Sequence, residues 1–284
     1  MRLDGETVLI TGGGRGIGAA VAKSFARAGA NLALVSRTAH EVESVATACR
    51  ALGVRAVALP ADVACRGEMG RVASKAEKGL GPVSVLVNAA GVYGPIGPLV
   101  ENSLDAWTQA VSVNLFGTLY ALHAVLPGMI ARRKGSVINF SGGGAVSPFP
   151  RFSSYATSKV AVVRLTETVA EEVREYGVRV NAIAPGAVNT RLLDEVLTAG
   201  ERAGRDFYRK ALEQKERGGV PPDRAAELAL FLASPEAEGV TGRLISAVWD
   251  DWRAMARDLQ GSSLYTLRRI DGRNFTEIPA VAAR

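Results

Sequence analysis

Tyr155 and Lys159 stand four residues apart in Ser153–Tyr176, where apolar residues recur at helical spacing, so their side chains share one helix face. A free phenol ionises at about pH 10, too high for ready proton exchange at neutrality. A nearby ammonium favours the phenolate, so the pair can act as acid toward a carbonyl oxygen and as base toward an alcohol. The second chemical feature is the run Thr11-Gly12-Gly13-Gly14-Arg15-Gly16-Ile17-Gly18, which follows an apolar strand and opens a helix. Glycines there let the backbone turn tightly and approach a pyrophosphate, while the helix N-terminus offers unpaired N–H groups and the positive end of its dipole.

Positioning these residues requires a scaffold. Seven short β-branched runs are expected as strands: Thr7–Ile10, Asn31–Val35, Arg55–Leu59, Val83–Val87, Ser136–Phe140, Arg179–Ile183 and Leu244–Ala247. Between them lie helix-period stretches at Ile17–Ala28, Ala39–Leu52, Gly67–Lys78, Leu104–Arg132 and Ser153–Tyr176. Such alternation means βαβ units and a parallel sheet covered on both faces. With right-handed crossovers the expected fold is α/β, a doubly wound parallel sheet of Rossmann type. No repeat or linker divides residues 1–247, which read as one dinucleotide-binding and catalytic domain; residues 248–284 read as a C-terminal extension. Ligands of such sheets bind beyond the carboxyl ends of the strands, where both chemical features stand.

The glycine spacing TGxxxGxG resembles that of the short-chain dehydrogenase/reductase family, and further family signatures follow in order over about residues 3–247. Asp62-Val63 is similar to the family's adenine-contacting pair. Asn88-Ala89-Ala90-Gly91 matches its NAAG motif, Tyr155-Ala156-Thr157-Ser158-Lys159 its YxxxK motif, and Pro185-Gly186 with Val188 and Thr190 its nicotinamide-side loop. The resemblance implies an NAD(P)-dependent oxidoreductase interconverting a ketone and a secondary alcohol, with Tyr155 as acid/base. It also implies that Lys159 holds the nicotinamide ribose and that Asn114 helps order a proton path. One position departs from the family. The serine expected thirteen residues before the tyrosine is replaced by Gly142, which leaves two readings: the adjacent Ser141 fills the role, or Tyr155 polarises the carbonyl alone. The departure keeps open a non-catalytic dinucleotide-binding protein, and an epimerase or dehydratase using transient hydride transfer is a further alternative.

Cofactor choice follows from the second strand. NAD-preferring sites usually end it with a carboxylate that binds the ribose 2′-hydroxyl. Here it ends Ser36-Arg37, and Arg15 lies inside the glycine turn, so two guanidinium groups suit a 2′-phosphate. NADP(H) is therefore expected in preference to NAD(H). For the substrate, Pro148-Phe149-Pro150-Arg151-Phe152 and the segment Thr190–Gly219, with Arg191, Arg202, Arg205, Arg209 and Lys210 beside Phe207 and Tyr208, suggest an apolar or ring portion with an anionic handle. Charge balance within that segment supports the plainer reading of a solvated helical pair.

The chain has 284 residues, 48% apolar and 22% charged, an ordinary globular composition. The net charge of +6 is scattered without a basic patch, which argues against nucleic acid. Two cysteines, Cys49 and Cys65, and two histidines, His40 and His123, exclude a disulfide framework and offer no metal site. With neither a run of 18 apolar residues nor a leader pattern, a cytoplasmic protein without membrane contact is expected. Surplus apolar positions on the Leu104–Arg132 and Ser153–Tyr176 helices, among them Phe116, Leu119, Leu122, Val125, Val160, Val162, Val163 and Leu165, predict a homodimer or homotetramer.

Overall fold

The computed structural model describes residues 1–254 and 264–267. Seven strands, β1 (Thr7–Thr11), β2 (Asn31–Ser36), β3 (Ala56–Pro60), β4 (Val83–Asn88), β5 (Gly135–Phe140), β6 (Val178–Ala184) and β7 (Leu244–Ser246), form one sheet in the order β3-β2-β1-β4-β5-β6-β7. Every neighbouring pair is parallel. Strand order reverses at β1, between β2 and β4, and the crevice that a ligand can enter opens there. All five residues of β1 are buried, as a central strand covered on both faces requires.

The pleat sorts the core into two layers. Val8, Ile10, Leu32 and Leu34 face α1 (Gly16–Arg27), α2 (Ala39–Arg50) and α9 (Pro222–Ala233). Leu9, Ala33, Val35 and Leu86 face α3 (Arg66–Leu80), α5 (Gly117–Arg132) and part of α6 (Ser153–Val173). The expected doubly wound α/β sheet is present, with each strand within two residues of its expected bounds. Helix α9 was not among the expected elements. Of its nine residues 225–233 only Glu227 is not buried, so no polar stripe marks its period.

The stretch Leu104–Arg132 is not one regular helix. It comprises α4 (Leu104–Val111), a π-helical turn at Ser112–Phe116 and α5. At 29 residues it is long and apolar enough to cross a membrane, yet α5 is packed into the sheet through Ala121, Leu122, Val125 and Met129, as a core helix is. Segment 190–220 forms the solvated pair α7 (Arg191–Ala199) and α8 (Arg205–Arg217). In the extension, Trp252 is buried against Phe231, while Trp249 stays exposed. Residues 264–267 lie along the β7 edge: Leu244 N donates to Tyr265 O at 2.8 Å, and Leu267 N to Glu167 Oε1 at 2.6 Å. Phe275, Arg268 and Arg269 fall outside the described residues.

Candidate functional site

The glycine turn between β1 and α1 floors a cleft of about 620 Å³ at the reversal of strand order. Its conformation demands glycine at two points. A Cβ on Gly12, at φ +69°, would stand 2.6 Å from Ala90 N, and one on Gly18 would overlap the Gly12 carbonyl. Helix α1 begins with no side-chain cap and no acidic residue in its first turn, so its amide donors are left for an anion. A pyrophosphate fits this cradle.

Of the residues singled out in the sequence, Gly12, Gly14, Arg15, Gly16, Ile17, Gly18, Ser36, Arg37, Asp62, Val63, Ala89, Ala90, Gly91 and Thr190 line the cleft. Asn88, Asn114, Ser141, Tyr155, Lys159, Pro185, Gly186 and Val188 do not. Asn88 instead ties strand ends together, since its Nδ2 donates to Asn139 Oδ1 at 2.9 Å and its Oδ1 accepts from Thr11 Oγ1 at 3.4 Å. Asp62 accepts from Ala64 N and so shapes its own turn, and Val63 packs against Gly117.

At the inner end of the cleft, a Cβ on Gly91 would meet Asn114 Oδ1 at 3.3 Å and Lys159 Nζ at 3.4 Å. The π turn carries Asn114 inward, fully buried. Its Oδ1 accepts from Val92 N at 2.9 Å, and its Nδ2 donates to Val92 O and to Ser158 Oγ, both at 2.9 Å. The amide thus pins the loop after β4 to α6. Tyr155 and Lys159 are both buried on α6, with Nζ 5.6 Å from the phenol ring centroid. Lys159 Nζ donates to Phe140 O at 2.8 Å. Burial pulls the Lys159 ammonium down to about 8. The expectation that this ammonium would lower the Tyr155 phenol is not met here: burial, with Tyr93 beside it, pushes that phenol up and holds it protonated.

Ser141 is turned away from Tyr155, its Oγ donating to Lys159 O at 3.4 Å. A Cβ on Gly142 would overlap the Tyr155 hydroxyl oxygen. The phenol therefore occupies the volume that a serine side chain would need. Around it stands an aromatic wall. Tyr93 meets Tyr155 edge-on at 4.7 Å between centroids, Phe149 stacks on Phe152 at 4.4 Å, and Phe207 of α8 closes against both phenylalanines at 5.1 and 5.0 Å. The arginines around it are committed elsewhere. Arg209 pairs with Asp206, Arg205 with Glu201 and Arg202 with Glu101, while Arg151 donates to Arg202 O. The wall itself is apolar and aromatic, these guanidinium groups pair at the exposed surface, and Arg191 lines the cleft.

At the other end of the cleft, Arg37 is exposed and makes no ion pair or hydrogen bond among the described residues. Arg15 Nη1 lies 3.4 Å from Glu41 Oε1. Glu41 lines the cleft from α2, a carboxylate that the strand-end rule does not reveal because it enters one helical turn later. Tyr93 also escaped the sequence reading, as no spacing rule extends past Gly91. Among the described residues no cluster of metal-ligating side chains is present, and His123 is exposed.

A family model described as short chain dehydrogenase matches residues 6–200. The chain is 37% identical over 249 residues to galactitol 2-dehydrogenase (L-tagatose-forming) of Cereibacter sphaeroides, covering 86% of this chain and 94% of that protein. It is 34% identical over 242 residues to 2-(S)-hydroxypropyl-CoM dehydrogenase 3 of Xanthobacter autotrophicus, covering 85% and 94%. NAD+-bound xylitol dehydrogenase superposes with a TM-score of 0.81 at 26% identity, covering 87% of this chain and 98% of that one.

Proposed function

The chain belongs to the short-chain dehydrogenases, oxidoreductases of alcohols and ketones, and from that premise we propose that it interconverts a ketone and a secondary alcohol with NADP(H), using Tyr155 to move the proton. The observation that carries this reading is the buried pair Tyr155 and Lys159 behind Gly91, which lines the inner end of a glycine-floored cleft. When bound, the nicotinamide supplies or accepts the hydride. The protein holds a protonated phenol, whose Oη gives its proton to the substrate oxygen in reduction and takes it back in oxidation. Lys159 Nζ stands beside Gly91, within reach of a ribose, while Asn114 fixes the loop that the ribose would face. NADPH consumption with a panel of ketones tests the reading, and an absence of any turnover rejects it. The same assay separates a non-catalytic dinucleotide-binding protein, the reading that the missing side chain at 142 would favour.

Preference for NADP(H) rests on Arg37, unpartnered beside the cleft, and on Arg15. A 2′-phosphate would compete with Glu41 for Arg15, so Glu41 works against the preference. Arg37→Ala is expected to weaken NADPH binding about tenfold while leaving NADH within about twofold, since one charge-assisted hydrogen bond is worth about 1.5–3 kcal/mol. Glu41→Gln is expected to shift the ratio the opposite way, toward NADPH. Fluorescence titrations of both cofactors check this, and equal affinities in the wild type reject the preference.

Assembly as a homodimer or homotetramer rests on exposed apolar side chains along the outer helices. Leu104 is 74% exposed, and Phe116, Leu119 and Val160 join it, whereas Leu122, Val125, Val162 and Val163 are spent inside the fold. Light scattering at micromolar concentration is expected to give a multiple of the chain mass, and a clean monomer rejects assembly. The free thiols at Cys49 and Cys65 suit a reducing cytoplasm, and loss of activity on cytosol-like reduction would count against it.

A further inference from the structure

A carbonyl oxygen has two lone pairs, and the transition state of its reduction places negative charge on that oxygen. Tyr155 can satisfy one lone pair. Position 142 offers no side chain for the other, and three serine hydroxyls around Tyr155 are already committed as donors. Ser141 donates to Lys159 O, Ser154 to Tyr93 O at 3.0 Å, and Ser158 to Tyr155 O at 2.8 Å.

Tyr93 is different. Its hydroxyl has no hydrogen-bond partner among the described residues, yet its ring lies edge-on against Tyr155 at 4.7 Å between centroids and against Phe152 at 5.1 Å. The backbone that carries it is locked on both sides. Asn114 grips Val92 through both N and O, and Ser154 Oγ donates to the Tyr93 carbonyl. Gly94 then turns at φ +73°, packed so closely that a Cβ would meet Ser154 Oγ at 2.8 Å. A side chain held this firmly is pre-organised, as a donor to developing charge must be.

The geometry points to Tyr93 as the second hydrogen-bond donor to the reacting oxygen of the substrate, taking the part that residue 142 cannot play. Burial, with Glu195 beside it, pushes the Tyr93 phenol up to about 12, so it stays a donor across the working pH range. The proton transferred remains that of Tyr155, and Tyr93 keeps its own. This assignment rests on the oxidoreductase reading above.

The test replaces one atom. Tyr93→Phe keeps the ring and its packing and removes the hydroxyl. With NADPH and the fastest substrate among acetophenone, cyclohexanone and phenanthrenequinone, kcat is expected to fall at least about tenfold, toward the hundredfold typical of a lost oxyanion donor. KM should change less than about threefold, and NADPH affinity and the thermal midpoint should stay at wild-type values. An active wild type with an unaffected kcat in Tyr93→Phe overturns the assignment alone. A wild type inactive on all three ketones counts against the oxidoreductase reading and the assignment together. A fall in kcat accompanied by lost NADPH binding would reassign Tyr93 to structure.

Discussion

Tyr155→Phe is expected to reduce turnover at least about a hundredfold while leaving NADPH affinity within about twofold, because general-acid groups contribute about 10²–10⁴-fold to rate. The variant preserves the ring that Tyr93 and Phe149 contact, so packing survives and only the transferable proton is lost. It adds no atom, and residue 142 has no side chain for the shortened ring to strike. Lys159→Ala should behave differently. Its ammonium stands near Gly91 on the cofactor side and holds Phe140 O, so both kcat and cofactor affinity should fall. Steady-state kinetics and nicotinamide fluorescence separate the two patterns. A near wild-type rate in Tyr155→Phe would remove Tyr155 from the mechanism.

Gly18→Ala should abolish measurable cofactor binding and destabilise the protein by about 3 kcal/mol, the upper end of ordinary overpacking. The added methyl would strike the Gly12 carbonyl, with Gly12 C and Gly13 N close behind, so the obstacle is backbone and cannot swing aside. Relief requires lifting the start of α1 from the glycine turn, which withdraws the amides that face the anion. Gly70→Ala is the control. Gly70 lies in α3, exposed, with nothing within 4 Å of an added Cβ, and alanine there should stabilise by about 1 kcal/mol. Thermal denaturation and cofactor titration of both variants check the contrast. Retained binding in Gly18→Ala would mean that the turn yields more readily than its geometry implies.

The fold was legible because its strands are short, apolar and β-branched and its glycine turn stands directly after the first of them. Positions such as Gly12 and Gly18 announce themselves, since only glycine can make those approaches. Other parts were illegible for physical reasons. Helix α9 is buried on nearly every side, so it lacks the polar stripe on which periodicity depends, although Pro222 at its start is a recognisable opening residue. The π turn at Ser112–Phe116 inserts its extra residue without any breaker, and a 3.6-residue count slides past it. The Arg15–Glu41 pair joins residues 26 apart in sequence and exists only once α2 packs beside the glycine turn. The charges of α7 and α8 suggested an anion site from composition, but pairing with neighbouring carboxylates is decided by the surface on which they lie.

The contact between Gly142 and the Tyr155 oxygen also constrains the order in which this protein can change. The backbone at Gly142 is not in the left-handed region, so the local conformation itself would accept any residue. What excludes a side chain is a neighbour thirteen positions away, and that neighbour is the proton carrier. A serine introduced at 142 by one substitution would displace the phenol. The clash is with side-chain atoms of Tyr155 alone, so either that ring swings, taking the proton carrier out of place, or the 141–144 turn moves. Positions 142 and 155 are therefore coupled: a side chain at the first suits the present place of the phenol only after a backbone shift, so the two positions answer to each other although thirteen residues separate them.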